Sequence, residues 1–200
     1  MDQEIEAKFY LRELAALKQK LDALGATVTI PRTLEINLRF DTADGRLGAA
    51  GQVLRLRQDW STHLTFKAPQ PPQSGVLTRT EIEFEVSNFG AARRFLEALG
   101  YQVFSSYEKY RETYQYEGAM ITLDELPFGC FIEIEADSGE VVRNVAALLA
   151  LNWQAHINLS YLELFYHLRQ ARSLPFNEVS FANFEGLTIK PEELGVEPAE

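Results

Sequence analysis

Glutamate residues alternate with apolar residues at the start of the chain and again in two later stretches. In a β-strand successive side chains point to opposite faces, so each stretch places its carboxylates on one face. Carboxylates without nearby histidine or cysteine select hard cations such as Mg²⁺ or Mn²⁺ over zinc or copper. The side chains concerned are Glu4 and Glu6, Glu81 and Glu83, and Glu133 and Glu135. Their alternation predicts strands that could hold a divalent metal ion.

Basic residues follow the same alternation on other predicted strands. They are Lys8, Arg55, Arg57, Lys67, Arg79, Lys109 and Arg111, and one further strand carries Asp124 on its polar face. Lysine and arginine at fixed spacing bind phosphate oxygens, and a guanidinium can bind two of them at once. Together with the carboxylates they suit metal-assisted phosphoryl or nucleotidyl transfer, in which catalysis is mostly positioning and charge neutralisation.

A single strand with alternating charges is most often a sheet face in contact with water. That interpretation weakens here because nearly every predicted strand shows the pattern, while the opposite faces carry Ile, Leu, Phe and Val. The predicted helices need that apolar surface to pack on, which leaves the charged faces to line a concave or closed interior. Charges in such an interior must pair, hydrate or bind a ligand, because an unpaired buried charge is costly.

The elements that position these residues recur in a weak internal repeat. Each half of the chain runs from a Glu-x-Glu strand to an amphipathic helix, a Leu-Gly pair that ends the helix, and a long strand. A third Glu-x-Glu strand precedes a helix capped at Ser138, and a last helix covers about residues 160–171. The other strands are predicted over residues 27–42, 53–58, 63–68, 77–86 and 103–116. This order predicts one α+β domain with a closed sheet and helices outside it.

Two segments are distinguished along the chain. Residues 1–172 carry the repeated strands and helices and form the predicted domain, whereas residues 173–200 form a loop-like tail that packs on or near it. The tail carries three aromatic residues that we predict to anchor it, namely Phe176, Phe181 and Phe184.

Composition excludes several classes of partner. The net charge of -10 over 200 residues argues against a nucleic-acid binder and against an anionic membrane surface. Cys130 is the only cysteine, so an intrachain disulfide and a cysteine-based zinc site are both excluded. The sequence contains no apolar run of membrane-spanning length, and its acidic start is unlike a signal peptide. We therefore predict a cytoplasmic protein with neither a nucleic-acid nor a membrane partner.

The motifs also follow one another in a recognisable order over about residues 2–170. They are Glu4-x-Glu6-x-Lys8, Leu54-Arg55-Leu56-Arg57, Phe66-Lys67, Arg79-x-Glu81-x-Glu83, Lys109-x-Arg111, Leu123-Asp124, Glu133-x-Glu135 and Ser160-Tyr161. This ordered set resembles the CYTH superfamily, also called the triphosphate tunnel metalloenzymes. The resemblance implies an eight-stranded antiparallel closed β-barrel, a tunnel that binds a linear triphosphate together with Mg²⁺ or Mn²⁺.

The resemblance also implies a role for each charged position. The metal ligands would be Glu4, Glu6, Glu133 and Glu135, with Asp124 supporting the metal, and Glu81 and Glu83 would bind metal or orient their basic neighbours. The triphosphate would be bound by Lys8, Arg55, Arg57, Lys67 and Arg111, with Arg79 and Lys109 as further candidates. The groups taken as catalytic are Glu4, Glu6, Lys8, Glu133 and Glu135.

Two reactions known in that family stay open, and both use a small-molecule triphosphate. One is hydrolysis of inorganic triphosphate, thiamine triphosphate or a nucleoside triphosphate, and the other is the class IV adenylyl cyclase reaction. Arg79-x-Glu81-x-Glu83 is more similar to the pattern of the hydrolases, so we predict a metal-dependent triphosphatase. A non-catalytic module that binds polyphosphate or nucleotide is the alternative of another class. The resemblance also makes a homodimer plausible.

Overall fold

The computed structural model describes residues 5–69 and 79–200 and shows strands and helices typical of an α+β protein. The strands are β1 (Ile5–Leu11), β2 (Thr27–Thr42), β3 (Val53–Gln58), β4 (Thr62–Pro69), β5 (Arg79–Glu85), β6 (Tyr101–Tyr116), β7 (Ala119–Leu126), β8 (Gly129–Ala136) and β9 (His156–Ile157). The helices are α1 (Ala15–Leu24), α2 (Arg46–Ala49), α3 (Phe89–Ala98), α4 (Gly139–Leu148), α5 (Tyr161–Arg172) and α6 (Pro191–Leu194). Within the described ranges, none of the helices is long and apolar enough to cross a membrane.

All nine strands belong to one sheet, in the order β5-β4-β3-β2-β6-β7-β8-β1-β9. The ladders between neighbours are antiparallel, as predicted. The predicted eight-stranded closed barrel is wrong, because β5 and β9 are the two ends of the order and no ladder of the described residues joins them. One physical reason is local to β1, whose second edge is taken by the two-residue strand β9. A strand that short leaves no alternating pattern in the sequence.

The chain divides into two compact units. The terminal unit consists of Asp2–Thr33 and Lys109–Glu200, and the middle unit consists of Leu34–Glu108. Strands β2 and β6 each contribute residues to both units.

The terminal unit has its apolar core on one face of β1, β7 and β8. Phe9, Ile121, Ile132 and Ile134 are fully buried there and pack with apolar side chains of α1 and α4, including Leu21. Because side chains alternate along a strand, this core directs the intervening polar side chains of the same strands to the opposite face.

Helix α5 and the tail complete the terminal unit. The helix begins after Ser160, where the Ser160 and Glu163 side chains each bind the other residue's backbone N–H in a capping box. In the tail, Phe184 packs against Phe165 of α5 and against Phe176. Farther along, the Ala199 N–H donates to the carbonyl of Tyr10 on β1 at 3.0 Å. The tail therefore contacts both the last long helix and the first strand.

The middle unit has a smaller core, formed by Leu38, Phe40, Leu54 and Leu56 with Leu96 of α3. Helix α3 begins after Asn88, whose side chain accepts a hydrogen bond from the Ala91 N–H. As in the terminal unit, the core takes one face of each strand and leaves the other face to polar side chains.

A short turn follows β2 and is held by the carboxylate of Asp41. That carboxylate accepts hydrogen bonds from the N–H groups of Leu47 and Gly48, each at 2.9 Å. A Cβ at position 48 would lie 3.2 Å from Asp41 Oδ2, so a glycine suits this close approach. The turn leads the chain from β2 into β3, which carries two of the predicted phosphate-binding arginines.

Candidate functional site

The terminal unit brings six polar and charged side chains together on the face opposite its core. This buried cluster consists of Lys8, Lys109, Arg111, Asp124, Glu133 and Tyr161. Ladder register explains how the strands assemble it. Arg111 pairs with Asp124 across β6 and β7, and Glu133 on β8 pairs with Lys8 on β1. Tyr161, the first residue of α5, is the member that does not come from the sheet.

Asp124 is fully buried and accepts hydrogen bonds from three other members of the cluster. Arg111 Nε donates to Asp124 Oδ1 at 2.6 Å, and Arg111 Nη2 donates to Oδ2. Lys109 Nζ reaches Oδ2 at 3.2 Å, and the Tyr161 hydroxyl donates to the same oxygen at 2.7 Å. Burying a carboxylate is costly unless it is paired and hydrogen-bonded, and Asp124 meets that condition through these donors.

Glu133 is the second carboxylate of the buried cluster. Its Oε1 lies 3.2 Å from Lys8 Nζ, and its Oε2 accepts a hydrogen bond from Arg111 Nη2. Burial would raise the pKa of Glu133, but the charges of Arg111, Lys8 and Lys109 outweigh burial and lower that pKa. Glu133 is therefore ionised at neutral pH and holds two cations that come from different strands.

Tyr161 lies within the same group of charges. Burial raises the pKa of its hydroxyl, and the negative charges of Asp124 and Glu133 raise that pKa further. The hydroxyl therefore keeps its proton at neutral pH and acts as a donor to Asp124. Sequence reasoning noted the Ser160-Tyr161 pair only as part of the resemblance and assigned Tyr161 no role.

Two predicted metal ligands face each other beside the buried cluster. Glu6 on β1 and Glu135 on β8 are directly opposite in the ladder, two pairs along from Lys8 and Glu133, with the Ala7–Ile134 pair between them. Glu4, the remaining predicted ligand of the first strand, lies outside the described residues. Among the residues that the structure describes, no three His, Cys, Asp or Glu side chains are grouped to hold a metal. Glu6 and Glu135 are thus two predicted ligands at opposite positions of the β1–β8 ladder.

The middle unit contains a second group of charges, the arginine cluster. It consists of Arg55, Arg57, Thr65, Lys67, Glu81 and Glu83. Glu83 receives a hydrogen bond of 2.6 Å from the Thr65 hydroxyl and lies 3.5 Å from Arg55 Nη2 and 3.3 Å from Arg57 Nη2. Lys67 Nζ lies 2.7 Å from Glu81 Oε2. Three of the predicted phosphate-binding side chains, Arg55, Arg57 and Lys67, are therefore each in contact with a glutamate.

Glu83 is ionised in this arrangement. Burial raises its pKa, but the hydrogen bond from Thr65 and the charges of Arg57 and Arg55 outweigh burial and lower the pKa. Glu83 thus contacts Arg55 and Arg57, and Glu81 contacts Lys67, while the expectation that these glutamates bind metal or orient basic neighbours stays a prediction. The side chain of Arg79, another predicted phosphate ligand, lies outside what the structure describes.

Strand β2 contributes polar residues that sequence reasoning did not single out. Glu35 and Asn37 are buried, and Asn37 Nδ2 donates to Glu35 Oε1 at 2.8 Å. Arg39 follows on the same face and stands opposite Arg55 in the β2–β3 ladder. Burial lowers the pKa of Arg55, but Tyr107, Glu35 and Glu83 outweigh burial and raise that pKa. These residues could have been identified from the sequence, because Glu35, Asn37 and Arg39 alternate with apolar residues inside a predicted strand.

The family model described as the CYTH domain matches residues 2–152. The fold is similar to that of a putative adenylate cyclase from Vibrio parahaemolyticus, with 21% identity, a TM-score of 0.70, and coverage of 82% of this chain and 98% of that chain. It is also similar to the PH1819 protein from Pyrococcus horikoshii OT3, with 26% identity, a TM-score of 0.61 and the same coverage of 82% and 98%.

A third similar structure extends over nearly all of the chain. It is a putative adenylyl cyclase from Hippeastrum, described as having a dominant triphosphatase activity, with 23% identity and a TM-score of 0.54. The similarity covers 97% of this chain and 100% of that chain, whereas the two similarities above cover 82% of this chain. No curated protein matches the chain.

Proposed function

The chain belongs to the CYTH domain family, and on that premise we propose that it hydrolyses a triphosphate with the help of Mg²⁺ or Mn²⁺. Proteins of this family are typically enzymes, either triphosphatases or cyclases, and generally depend on divalent metals. The substrate class proposed is inorganic triphosphate, thiamine triphosphate or a nucleoside triphosphate. The described activity of the Hippeastrum protein supports hydrolysis over cyclisation.

The observation that carries the proposal is the convergence of three cations on two carboxylates in the buried cluster. Lys8 and Lys109 are only 6% and 3% exposed, which is uncommon for lysine unless the charge has partners. A guanidinium offers five N–H donors and an ammonium three, so a cation held by one carboxylate can also bind phosphate oxygens. Asp124 and Glu133 would thus fix the directions from which the cations meet the triphosphate.

The facing carboxylates support a metal ion at the same face. Glu6 and Glu135 are opposite each other in the β1–β8 ladder, so the two carboxylates could bind one cation together. Mg²⁺ is usually held by one or two carboxylates together with substrate phosphates, so a complete protein cage is not required. When bound, such an ion neutralises phosphate charge and lowers the pKa of a bound water.

In the middle unit, the arginine cluster suits the same ligand class. Arg55 and Arg57 share one glutamate at 3.3–3.5 Å, distances at which neither contact is a short charge-assisted hydrogen bond. A phosphate could therefore replace Glu83 as their partner at little cost. Within this proposal, Glu83 orients the two guanidinium groups until a phosphate binds.

The test is phosphate release from inorganic triphosphate, thiamine triphosphate, ATP and GTP, each with Mg²⁺ and with Mn²⁺. We expect hydrolysis of at least one substrate, and a roughly 10- to 100-fold loss of that activity in Glu133→Gln, because Glu133 orients two cations. The matched control is Glu97→Gln, which removes a glutamate whose side chain is 40% exposed on α3. Retained binding without release from any substrate would favour the non-catalytic binding module. No thermal stabilisation by triphosphate with Mg²⁺ would contradict both.

The class IV adenylyl cyclase reaction is the second candidate, because the Vibrio parahaemolyticus structure is described as a putative adenylate cyclase. In that reaction the ribose 3′-hydroxyl attacks the α-phosphorus of ATP and pyrophosphate leaves. Incubation with ATP and Mn²⁺, followed by separate measurement of cyclic AMP and phosphate, distinguishes the two reactions. Cyclic AMP as the main product would replace the triphosphatase proposal.

A further inference from the structure

Tyr161 contacts more members of the buried cluster than a core aromatic residue needs to. Its hydroxyl donates to Asp124 Oδ2 at 2.7 Å. The face of its ring lies 4.4 Å from Lys8 Nζ and 5.2 Å from Lys109 Nζ, measured to the ring centroid. Both distances are within the roughly 6 Å over which a cation is attracted to an aromatic ring. One side chain therefore contacts two cations and the carboxylate that holds one of them.

The ring is itself held rigidly in place. Its residue is the first of α5, directly after the Ser160–Glu163 capping box that fixes the start of the helix. The ring packs edge-on against Phe131 of β8 with centroids 5.0 Å apart, and the residue is only 8% exposed. Lysine side chains are flexible and lose considerable rotamer freedom when ordered. A fixed ring can restrict the positions of the two ammonium groups and so help to order the lysine side chains.

From these contacts we infer that Tyr161 is a positioning residue of the proposed triphosphate site. Its ring orients the ammonium groups of Lys8 and Lys109, and its hydroxyl orients Asp124. The inference rests on the proposed function for its consequence in catalysis, but the positioning itself follows from contacts within the chain. Tyr161 touches neither substrate nor metal in this role and acts through its neighbours.

Two variants separate the hydroxyl from the ring. Tyr161→Phe keeps the ring over both lysines and removes the donor to Asp124, whereas Tyr161→Leu removes both. The control is Phe165→Leu, which makes the same loss of an aromatic ring at a fully buried position of the same helix. Urea unfolding of all three variants first establishes that they fold and how far each is destabilised.

The first measurement needs no substrate. The rates at which Lys8 and Lys109 are acylated by a small amine reagent are followed by peptide mass spectrometry. We expect both rates to rise roughly two- to thirty-fold in Tyr161→Leu, the range that corresponds to a cation–π contact at an exposed or desolvated site. Tyr161→Phe should leave the rate at Lys8 unchanged. Equal rates in Tyr161→Leu and Phe165→Leu would overturn the inference.

The second measurement links positioning to the proposed reaction. Binding of inorganic triphosphate with Mg²⁺ is measured by calorimetry, and kcat and KM are measured separately. We expect Tyr161→Phe to raise KM roughly threefold and Tyr161→Leu roughly tenfold or more, while Phe165→Leu leaves KM unchanged. A purely structural tyrosine predicts the same KM in Tyr161→Phe as in the wild type, and that result would contradict positioning. If the wild type neither binds nor hydrolyses any triphosphate, the proposed function fails, and the acylation rates still decide the role of Tyr161.

Discussion

The buried cluster of the terminal unit and the arginine cluster of the middle unit use the same kinds of charge but hold them differently. In the buried cluster, the side chains of Lys109 and Asp124 are 4% and 0% exposed, and Asp124 accepts hydrogen bonds of 2.6 and 2.7 Å. In the arginine cluster, the side chains of Arg55 and Glu83 are 19% and 31% exposed, and their contact is 3.5 Å long. The first group is closely hydrogen-bonded, whereas the two arginines of the second group have longer contacts with Glu83 and are partly exposed.

This difference in burial implies that the two clusters contribute differently to stability. Removing one partner of a buried ion pair strongly destabilises a protein, because the remaining charge is left uncompensated. Partly exposed pairs are screened by water and contribute little to stability. We therefore expect the buried cluster to keep its geometry when a ligand binds, and the arginine cluster to exchange its internal partner for the ligand.

The largest effect should come from Asp124→Asn in the buried cluster. The substitution leaves Arg111 and Lys109 without their shared charge, so we expect the free energy of unfolding to fall by about 3–5 kcal/mol. Urea unfolding monitored by circular dichroism gives this value directly. A loss below about 1 kcal/mol, the size expected of an exposed pair, would remove the distinction between the clusters.

A second effect should appear in substrate binding. Arg111→Lys keeps the charge but loses the planar fork that contacts Asp124 and Glu133 together, so we expect KM for the triphosphate substrate to rise roughly tenfold or more. Arg55→Lys should raise KM less, because the contacts of Arg55 with Thr65 and Glu83 are longer. Steady-state kinetics of both variants make the comparison, and a larger effect at Arg55 would reverse it.

Acid should weaken the protein through both clusters. The pKa of Glu133 and that of Glu83 lie below the ordinary value of 4.5, so each carboxylate stabilises the fold above that value and its contribution is lost as pH falls through the folded-state pKa. We expect the free energy of unfolding to decline below about pH 5, and to decline less steeply in Glu83→Gln. Urea unfolding at several pH values tests this, and parallel profiles for the two proteins would contradict the role of Glu83.

The smallest effect should be that of Glu83→Gln at neutral pH. Its contacts with Arg55 and Arg57 are partly exposed, so we expect less than about 1 kcal/mol to be lost from the free energy of unfolding. Thermal unfolding with and without inorganic triphosphate tests whether Arg55 and Arg57 exchange Glu83 for the ligand. If the arginines exchange partners, the ligand should stabilise this variant at least as much as the wild type.

Much of the local structure followed from alternation and capping in the sequence. The strands over 27–42 and 53–58 begin and end where predicted, and the helix capped at Ser138 begins where predicted. These features depend on neighbouring residues, which is why a sequence shows them. Lys8 and Glu133 were both predicted to lie on charged strand faces, and the structure brings them together. Their roles as phosphate and metal ligands stay predictions.

Other features depended on partners far away in the sequence. The closed barrel was wrong because alternation shows that a strand has two faces but not which strand takes each of its edges. Strand β9 consists of His156–Ile157 alone, too short for any pattern. Tyr161 belongs to the buried cluster because α5 begins beside β8, and nothing in a Ser-Tyr pair indicates that. The burial of Glu35 and Asn37 could have been inferred from the same alternation that identified their neighbours.

The first strand also has a consequence for the way the protein is made. β1 pairs with β8 and β9, and its residue Tyr10 accepts a hydrogen bond from Ala199, so its partners are synthesised more than a hundred residues after it. Loop closure over such separations delays native pairing, and unpaired strand edges favour aggregation meanwhile. Strand β1, which carries Lys8, therefore stays unpaired until the later strands have been synthesised. Slowing translation between β7 and the tail should lengthen that exposure and increase dependence on chaperones.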